Sequence, residues 1–421
     1  MHKICADKEQ IDFIFAQRRI IYINLNANLK TNYMRIIVYL IIIIAFYSCS
    51  DQEKIVLSPK EKIHLLPYSD FITTTSSTDT ISELNSFTEL NNLWAVGAQN
   101  GIYLIDKNTK RVNKYYKFDI KKHHNLFDDQ DGAVMFLSTN LVPNKKKDKL
   151  LVITSNGIVF QINLKTYEID WLTKFIRRIE TATYSDDGKV IAIGTRYDTK
   201  ENSKEKKEYY SSLFLINGKT GEYVKHFTEN ASIKKILFKD NDKNLLVAYD
   251  WNYTDSYLWD IDKIDESIAQ FREEDSFIHD LAIISKNEFV TINTNGISLW
   301  NTVNHKTKSL IFPRNNSGYE RILKNKINNE YVLIAYSNIL FFDKNIHLKD
   351  SVQLPIKFEN ADYLPNDSII CLQNLQNNNH PDENKDDGKQ GFYSFNLLTK
   401  KLTLTVDREK LNGIIKVNSK K

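Results

Sequence analysis

Thr294–Leu310 reads TNGISLWNTVNHKTKSL: an Asn-Gly turn signal, a short apolar run closing on Trp-Asn, a polar turn, then more alternation. The same grammar recurs along the chain. Asn-Gly-Ile occurs at Asn100–Ile102, Asn156–Ile158 and Asn295–Ile297. An apolar run precedes each copy (NLWAVGAQ, KLLVITS, EFVTINT) and another follows it (IYLID, IVFQIN, ISLWN). Asn-Gly supplies the positive φ angles of a two-residue type I′ turn, so each site reads as a tight β-hairpin centred on Asn-Gly.

A second marker counts the copies. The strand after each hairpin ends in apolar residues followed by Asp or Asn, at Asp106, Asn163, Asn217, Asp260, Asn301, Asp343 and Asn396. These seven endings lie 41 to 57 residues apart, and a polar turn and a further strand follow most of them. The third copy also shows what comes before the hairpin. Thr181–Thr195 (TATYSDDGKVIAIGT) is a strand, an Asp-Gly turn and a second strand. The unit is therefore four short strands, a to d. Four-stranded repeats of this length read as propeller blades, which predicts an all-β fold: a seven-bladed β-propeller of four-stranded antiparallel blades over residues 80–407.

The repeats resemble those of the WD40-type propellers. Tyr184–Gly194 (YSDDGKVIAIG) resembles that family's first turn, and Leu258-Trp259-Asp260 its terminal Trp-Asp. The chain departs from the family in opening no blade with Gly-His and in keeping a single Trp-Asp. The resemblance implies a rigid ring that binds partners through its loops. It also implies that an N-terminal strand completes the last blade. Residues 55–79 are the candidate for that closing strand. Blade seven, however, has its own fourth strand at Lys401–Val406, and Leu411–Val417 in the tail (408–421) is a second segment able to cover an edge.

The bulk composition agrees with a large folded core: 421 residues, 42% hydrophobic and 12% aromatic. The net charge of +4 is carried mostly by the first 48 residues, and the remainder nearly balances. No nucleic-acid partner is expected from such a balance.

Residues 34–54 read MRIIVYLIIIIAFYSCSDQEK. The apolar run Ile36–Tyr47 is shorter than the roughly 20 residues of a membrane-spanning helix, and it suits the core of a signal peptide. Its end resembles a bacterial lipoprotein signal, with Ser48 as the small residue and Cys49 as the acylated one. Phe46 and Tyr47 stand where that pattern has Leu and a smaller residue. The expected organisation is an extension of residues 1–33 that is untranslated or non-native, a signal peptide at 34–48, and a lipidated Cys49 with a short linker at 49–54. With Cys5 and Cys49 so assigned, Cys371 stands alone and no disulfide framework forms.

Catalytic signatures are missing from the sequence: it has no GxSxG, HExxH, Walker loop, GxGxxG or CxxC pair. Asp382–Gly388 (DENKDDG) has carboxylates at alternate positions but lacks the spacing of a calcium loop, and His279-Asp280 reads as a structural pair. No cofactor and no metal are expected. Function in such a ring resides in loops. Insertions Asp198–Tyr210, Trp251–Ser256 and Asn374–Gln390 fall between b and c strands, so they share one rim, and Asn144–Lys149 is read as an insertion between a and b. Tyr197, Tyr209, Tyr210, Trp251 and Tyr253 lie in or beside the first two and are the expected partner-binding anchors. The reading is a membrane-anchored, non-catalytic scaffold of the bacterial cell envelope, periplasmic or surface-facing, that holds a protein or glycan partner. The alternative is a propeller enzyme, a lactonase-like hydrolase or a quinone-dependent dehydrogenase. If Met34 is the start site, mass spectrometry of the protein from its own cells will return no peptide from residues 1–33.

Overall fold

The computed structural model describes residues 63–70, 72–75, 84–119, 139–175, 178–196, 211–229, 232–250, 255–263, 267–272, 277–304, 307–311, 319–325, 330–335, 338–355, 358, 360–363, 369–374 and 391–419. They all belong to one compact unit, Ser58–Lys421. Among the described residues, thirty strands form seven antiparallel sheets. Blade one is β3–β6 (residues 84–118), blade two β7–β10 (139–175), blade three β11–β14 (179–229) and blade four β15–β18 (232–272). Blade five is β19–β22 (278–311), blade six β23–β26 (319–353) and blade seven β27–β30 (360–407). The expected seven blades are present in the expected strand order.

The b and c strands explain why these sheets stack. Leu93–Ala98, strand b of blade one, is buried at every position, and Glu330–Ala335 of blade six at all but its first. Such strands are apolar on both faces and need a neighbouring sheet on each side. Among the described residues the buried apolar side chains fall into seven clusters, one at each seam between blades. Across the seams the a strands meet, β3 on β7, β11 on β15, β15 on β19, β19 on β23 and β23 on β27, which sets them nearest the axis.

The ring closes differently from what the family resemblance implies. Residues 55–79 contribute β1 (Ile63–Leu65) and β2 (Ile72–Thr75), and neither joins blade seven. β1 pairs with β10 on the outer edge of blade two, and β2 with β6 on the outer edge of blade one. Both sheets thereby gain a fifth strand. Blade seven consists of four strands of its own, and no N-terminal strand is added to it. Its seam with blade one is closed by packing, with Phe87 stacked on Phe392 at a centroid distance of 4.1 Å. The tail forms a helix, α1 (Arg408–Ser419), which lies against β30 and β6 and sinks Leu411 and Ile415 into that seam. Asp407 caps it: its Oδ1 accepts the Glu409 N–H at 2.8 Å and the Lys410 N–H at 3.3 Å.

The Asp/Asn marker has a physical cause. At each of the seven c-strand ends that side chain's Oδ1 accepts backbone N–H groups from the following turn. Examples are Asp106 with Asn108 and Thr109 (2.9 and 2.7 Å), Asn217 with Lys219 and Thr220 (2.8 and 3.2 Å), and Asn396 with Leu398 and Thr399 (both 2.9 Å). Asn163, Asp260, Asn301 and Asp343 do the same. The side chain is thus a turn-former held in the c–d connection.

Two of the three Asn-Gly hairpins form in a different register from the expected one, while Asn156 and Gly157 stay in their turn, with the Gly157 N–H donating to the Thr154 carbonyl at 3.0 Å. Ala98 pairs with Gly101 and Asn293 with Gly296, so the turn residues are Gln99-Asn100 and Thr294-Asn295, and the glycine opens the c strand. The reason is a close approach: a Cβ on Gly101 would lie 2.1 Å from the Tyr116 carbonyl oxygen on the neighbouring d strand. The a–b connection of blade two, Asn144–Asp148, matches Ser185–Lys189 of blade three in length, so it is no insertion.

Leu411 is fully buried at the closing seam. Leu411→Ala should lower unfolding free energy in urea by about 2–5 kcal/mol. Val303→Ala, at a site 64% exposed, should change it by less than about 0.5 kcal/mol. Equal effects would show that the helix does not secure the ring.

Candidate functional site

The a strands begin at the rim that also carries the b–c connections. In five blades the pairing register slips by one residue just inside that rim: Leu84/Ser86, Ile179/Thr181, Ile233/Lys235, Ile278/Asp280 and Tyr319/Arg321. Each slip passes over one polar residue, namely Asn85, Glu180, Lys234, His279 or Glu320. A β-bulge turns side chains out of the regular alternation and is often found beside functional sites. Repeated around the ring, the bulges place pairs of polar residues on the innermost strands at one mouth of the axis.

Three blades are joined there through one carboxylate. Asp280, on β19 (Ile278–Ser285), is 1% exposed. Its Oδ2 accepts the Ile322 N–H of blade six at 3.0 Å. Its Oδ1 lies 3.3 Å from Lys235 Nζ of blade four and 3.7 Å from Arg321 Nη1 of blade six. The two cations are 25% and 29% exposed, so each reaches from solvent to a buried anion. A carboxylate out of water needs such compensation, and removing it leaves two like charges facing one another. Asp280 thus serves inter-blade bonding.

No group of three His, Cys, Asp or Glu side chains converges on a metal position among the described residues. No described helix is long and apolar enough to cross a membrane. The arrangement sets two partly exposed cations around a buried carboxylate, all on strands.

The residues expected to anchor a partner, Tyr197, Tyr209, Tyr210, Trp251 and Tyr253, lie outside the described residues, as does Cys49. The strand ends that flank them are described. β12 ends at Thr195 and β13 begins at Ser211, β16 ends at Asp250 and β17 begins at Asp255, all on the rim of the bulges. Sequence reasoning missed Lys235 and Arg321. The signal for them was two successive polar residues behind the first apolar one of each a strand (IETA, IKKI, IHDL), a break in strict alternation.

No protein-family model matches the chain, and no curated protein matches it. Among solved structures it is similar to a chain of one described as the crystal structure of the mitotic checkpoint complex. The identity is 11%, the match covers 74% of this chain and 91% of that chain, and the TM-score is 0.53. The fold is a WD40-like β-propeller. At that identity the likeness speaks for fold alone. With 1707 chains of known structure matching, the fold selects no single activity. The surviving Trp-Asp of this WD40-like ring is used structurally: Trp259 packs 5.5 Å from Phe227 at the seam of blades three and four, and Asp260 forms the c–d turn.

Asp280→Ala should cost on the order of 2–3 kcal/mol of stability, discounted for the partial exposure of its partners, and Asp280→Asn less. A urea midpoint for Asp280→Ala equal to that of the unsubstituted protein would remove the carboxylate from its inter-blade role.

Proposed function

We propose that the protein is a membrane-tethered, WD40-like propeller scaffold. It is anchored at the bacterial envelope through a lipid on Cys49 and docks a protein partner on the rim of the b–c and d–a connections. The observation that carries the docking rim is the recurrence of polar bulges at one mouth of the axis, on the rim that also bears the longest b–c connections. Those connections are the 15 residues between β12 and β13 and the 16 between β28 (Ile369–Asn374) and β29 (Gly391–Asn396). Rigid strands would supply fixed polar contacts, and the connections, with Tyr197, Tyr209, Tyr210, Trp251 and Tyr253, would supply aromatic anchors. The anchor rests on the signal-like run Ile36–Tyr47 followed by Ser48-Cys49. A single acyl chain binds membranes weakly, so a diacylated cysteine fits a stable tether.

Expression of the full chain in a lipoprotein-processing bacterium tests the anchor. The expected product begins at Cys49, carries added acyl mass and partitions into detergent, and Cys49→Ala abolishes all three. A soluble, unacylated product from the unsubstituted chain would refute the tether. Crosslinking in cells tests the rim. In an Asp280→Asn background, where no buried charge is left unpaired, replacing Lys235 and Arg321 by Ala should reduce the captured partner about tenfold, the effect of one or two lost charge-assisted bonds.

A further inference from the structure

The opposite rim, built of a–b and c–d turns, holds a cleft of about 530 Å³ between blades one and two. Its floor is apolar, from Leu90, Leu93 and Leu164, which join the core cluster of that seam. Blade one lines it with the amides Asn91, Asn92 and Asn113, and blade two with Lys146, Lys147 and Lys165. Asp106 and Asp148 complete the charged lining, which sums to a formal +1 from three lysines and two aspartates.

The walls are held before any ligand arrives. Asn144 ties the blade-two turn together: its Oδ1 accepts the N–H groups of Asp148 and Lys149 at 3.0 and 3.1 Å, and its Nδ2 donates to Asp148 Oδ1 at 2.8 Å. Lys145 is drawn away to Asp186 of blade three at 2.7 Å, and Lys165 Nζ, largely exposed, lies 3.6 Å from Asp148 Oδ2 within the cleft. Tyr167, with φ at 58°, has its carbonyl fixed by the Tyr116 hydroxyl at 3.0 Å. Both carboxylates are turn-formers, and their hydrogen bonds hold them below the usual carboxyl range: Asp106 through the Thr109 N–H first, Asp148 through the Asn144 side chain first.

Backbone groups around the cleft are already engaged. The carbonyls of Asn92, Leu93, Asp106 and Asp148 accept from Lys107, Leu90, Lys110 and Leu164. An extended peptide recognised by strand addition finds no free ladder there. Recognition falls to side chains: amides that both donate and accept, lysines that bind an anion, and a leucine floor beneath them. The volume lies within the range of small-molecule sites. Alternating hydroxyls and C–H faces with one negative charge describe an acidic sugar. We propose that this cleft binds a short saccharide bearing a carboxylate, with Lys146 and Lys165 on the carboxylate and the three asparagines on hydroxyls. The proposal does not rest on the lipid anchor or on the docking rim.

Calorimetry on the full chain with cellobiouronate, a disaccharide with one carboxylate, tests it, with cellobiose and an Asp/Glu tetrapeptide as comparison probes. Cellobiouronate should bind, and cellobiose about tenfold more weakly for want of the charge-assisted bonds. Lys146→Ala/Lys165→Ala should weaken cellobiouronate about tenfold or more, and Asn91→Ala/Asn92→Ala should weaken both sugars. These residues are exposed turn positions, so an unchanged thermal midpoint accompanies the loss. Three outcomes overturn the proposal: no cellobiouronate binding up to about 10 mM, weaker than any useful affinity; binding indifferent to both double variants; or the tetrapeptide binding more tightly than the saccharide.

Discussion

The seam between blades is the interaction on which the rest of the molecule depends. A blade whose b and c strands are apolar on both faces has no stable existence by itself, since each face must leave water against a neighbour. Such a requirement propagates until the last blade meets the first. Here the seventh seam is closed without exchanging a strand, by the Phe87–Phe392 stack and the two buried side chains of α1. Closure by packing depends on shape and apolar area, so it leaves every blade with its own complement of strands.

Around the outside, bonds reinforce the seams in one direction. The d strand of a blade repeatedly reaches the c–d turn of the next. Tyr116 bonds to the Tyr167 carbonyl, Trp171 to Gly218 at 3.3 Å, and Thr173 to Gly221 at 3.0 Å. Lys225 bonds to Ile261, Lys308 to Asn345 at 2.9 Å, and Asp350 pairs with Lys400. The turns that these bonds reach are those shaped by the Asp/Asn side chains. One rim is therefore a chain of stapled turns. The other bears the bulged strand starts and the long connections. Rigidity and sequence freedom are divided between the two ends of the ring.

Much of this architecture was legible in the residues, and for physical reasons. The Asp or Asn at each c-strand end makes the same local hydrogen bonds in all seven blades, so a local pattern counted the repeats correctly. What escaped depended on distant partners. Gly101 answers to the Tyr116 carbonyl on the next strand, which no hairpin rule contains. Ile63–Leu65 and Ile72–Thr75 are strands in sequence pattern, but nothing local says which edge they cover. Leu411–Val417 was legible as a segment able to cover an edge, without its helical form. The capping Asp407 and the good helix formers behind it were the signal for the helix. At the channel mouth, Asp280 was visible as a polar residue in an apolar strand, while its cations came from two other blades.

The path of the N-terminal segment has a mechanical consequence. Before the chain enters the ring at Leu84 it is laid on two outer edges in turn, as three residues on blade two and four on blade one. A pull arriving from upstream meets those short pairings first, and each must peel before tension reaches β3. The closing helix lies at the opposite terminus and takes none of that load until both have gone. The two added strands therefore act as a sacrificial coupling, yielding in steps and letting out slack while the seven blades stay joined.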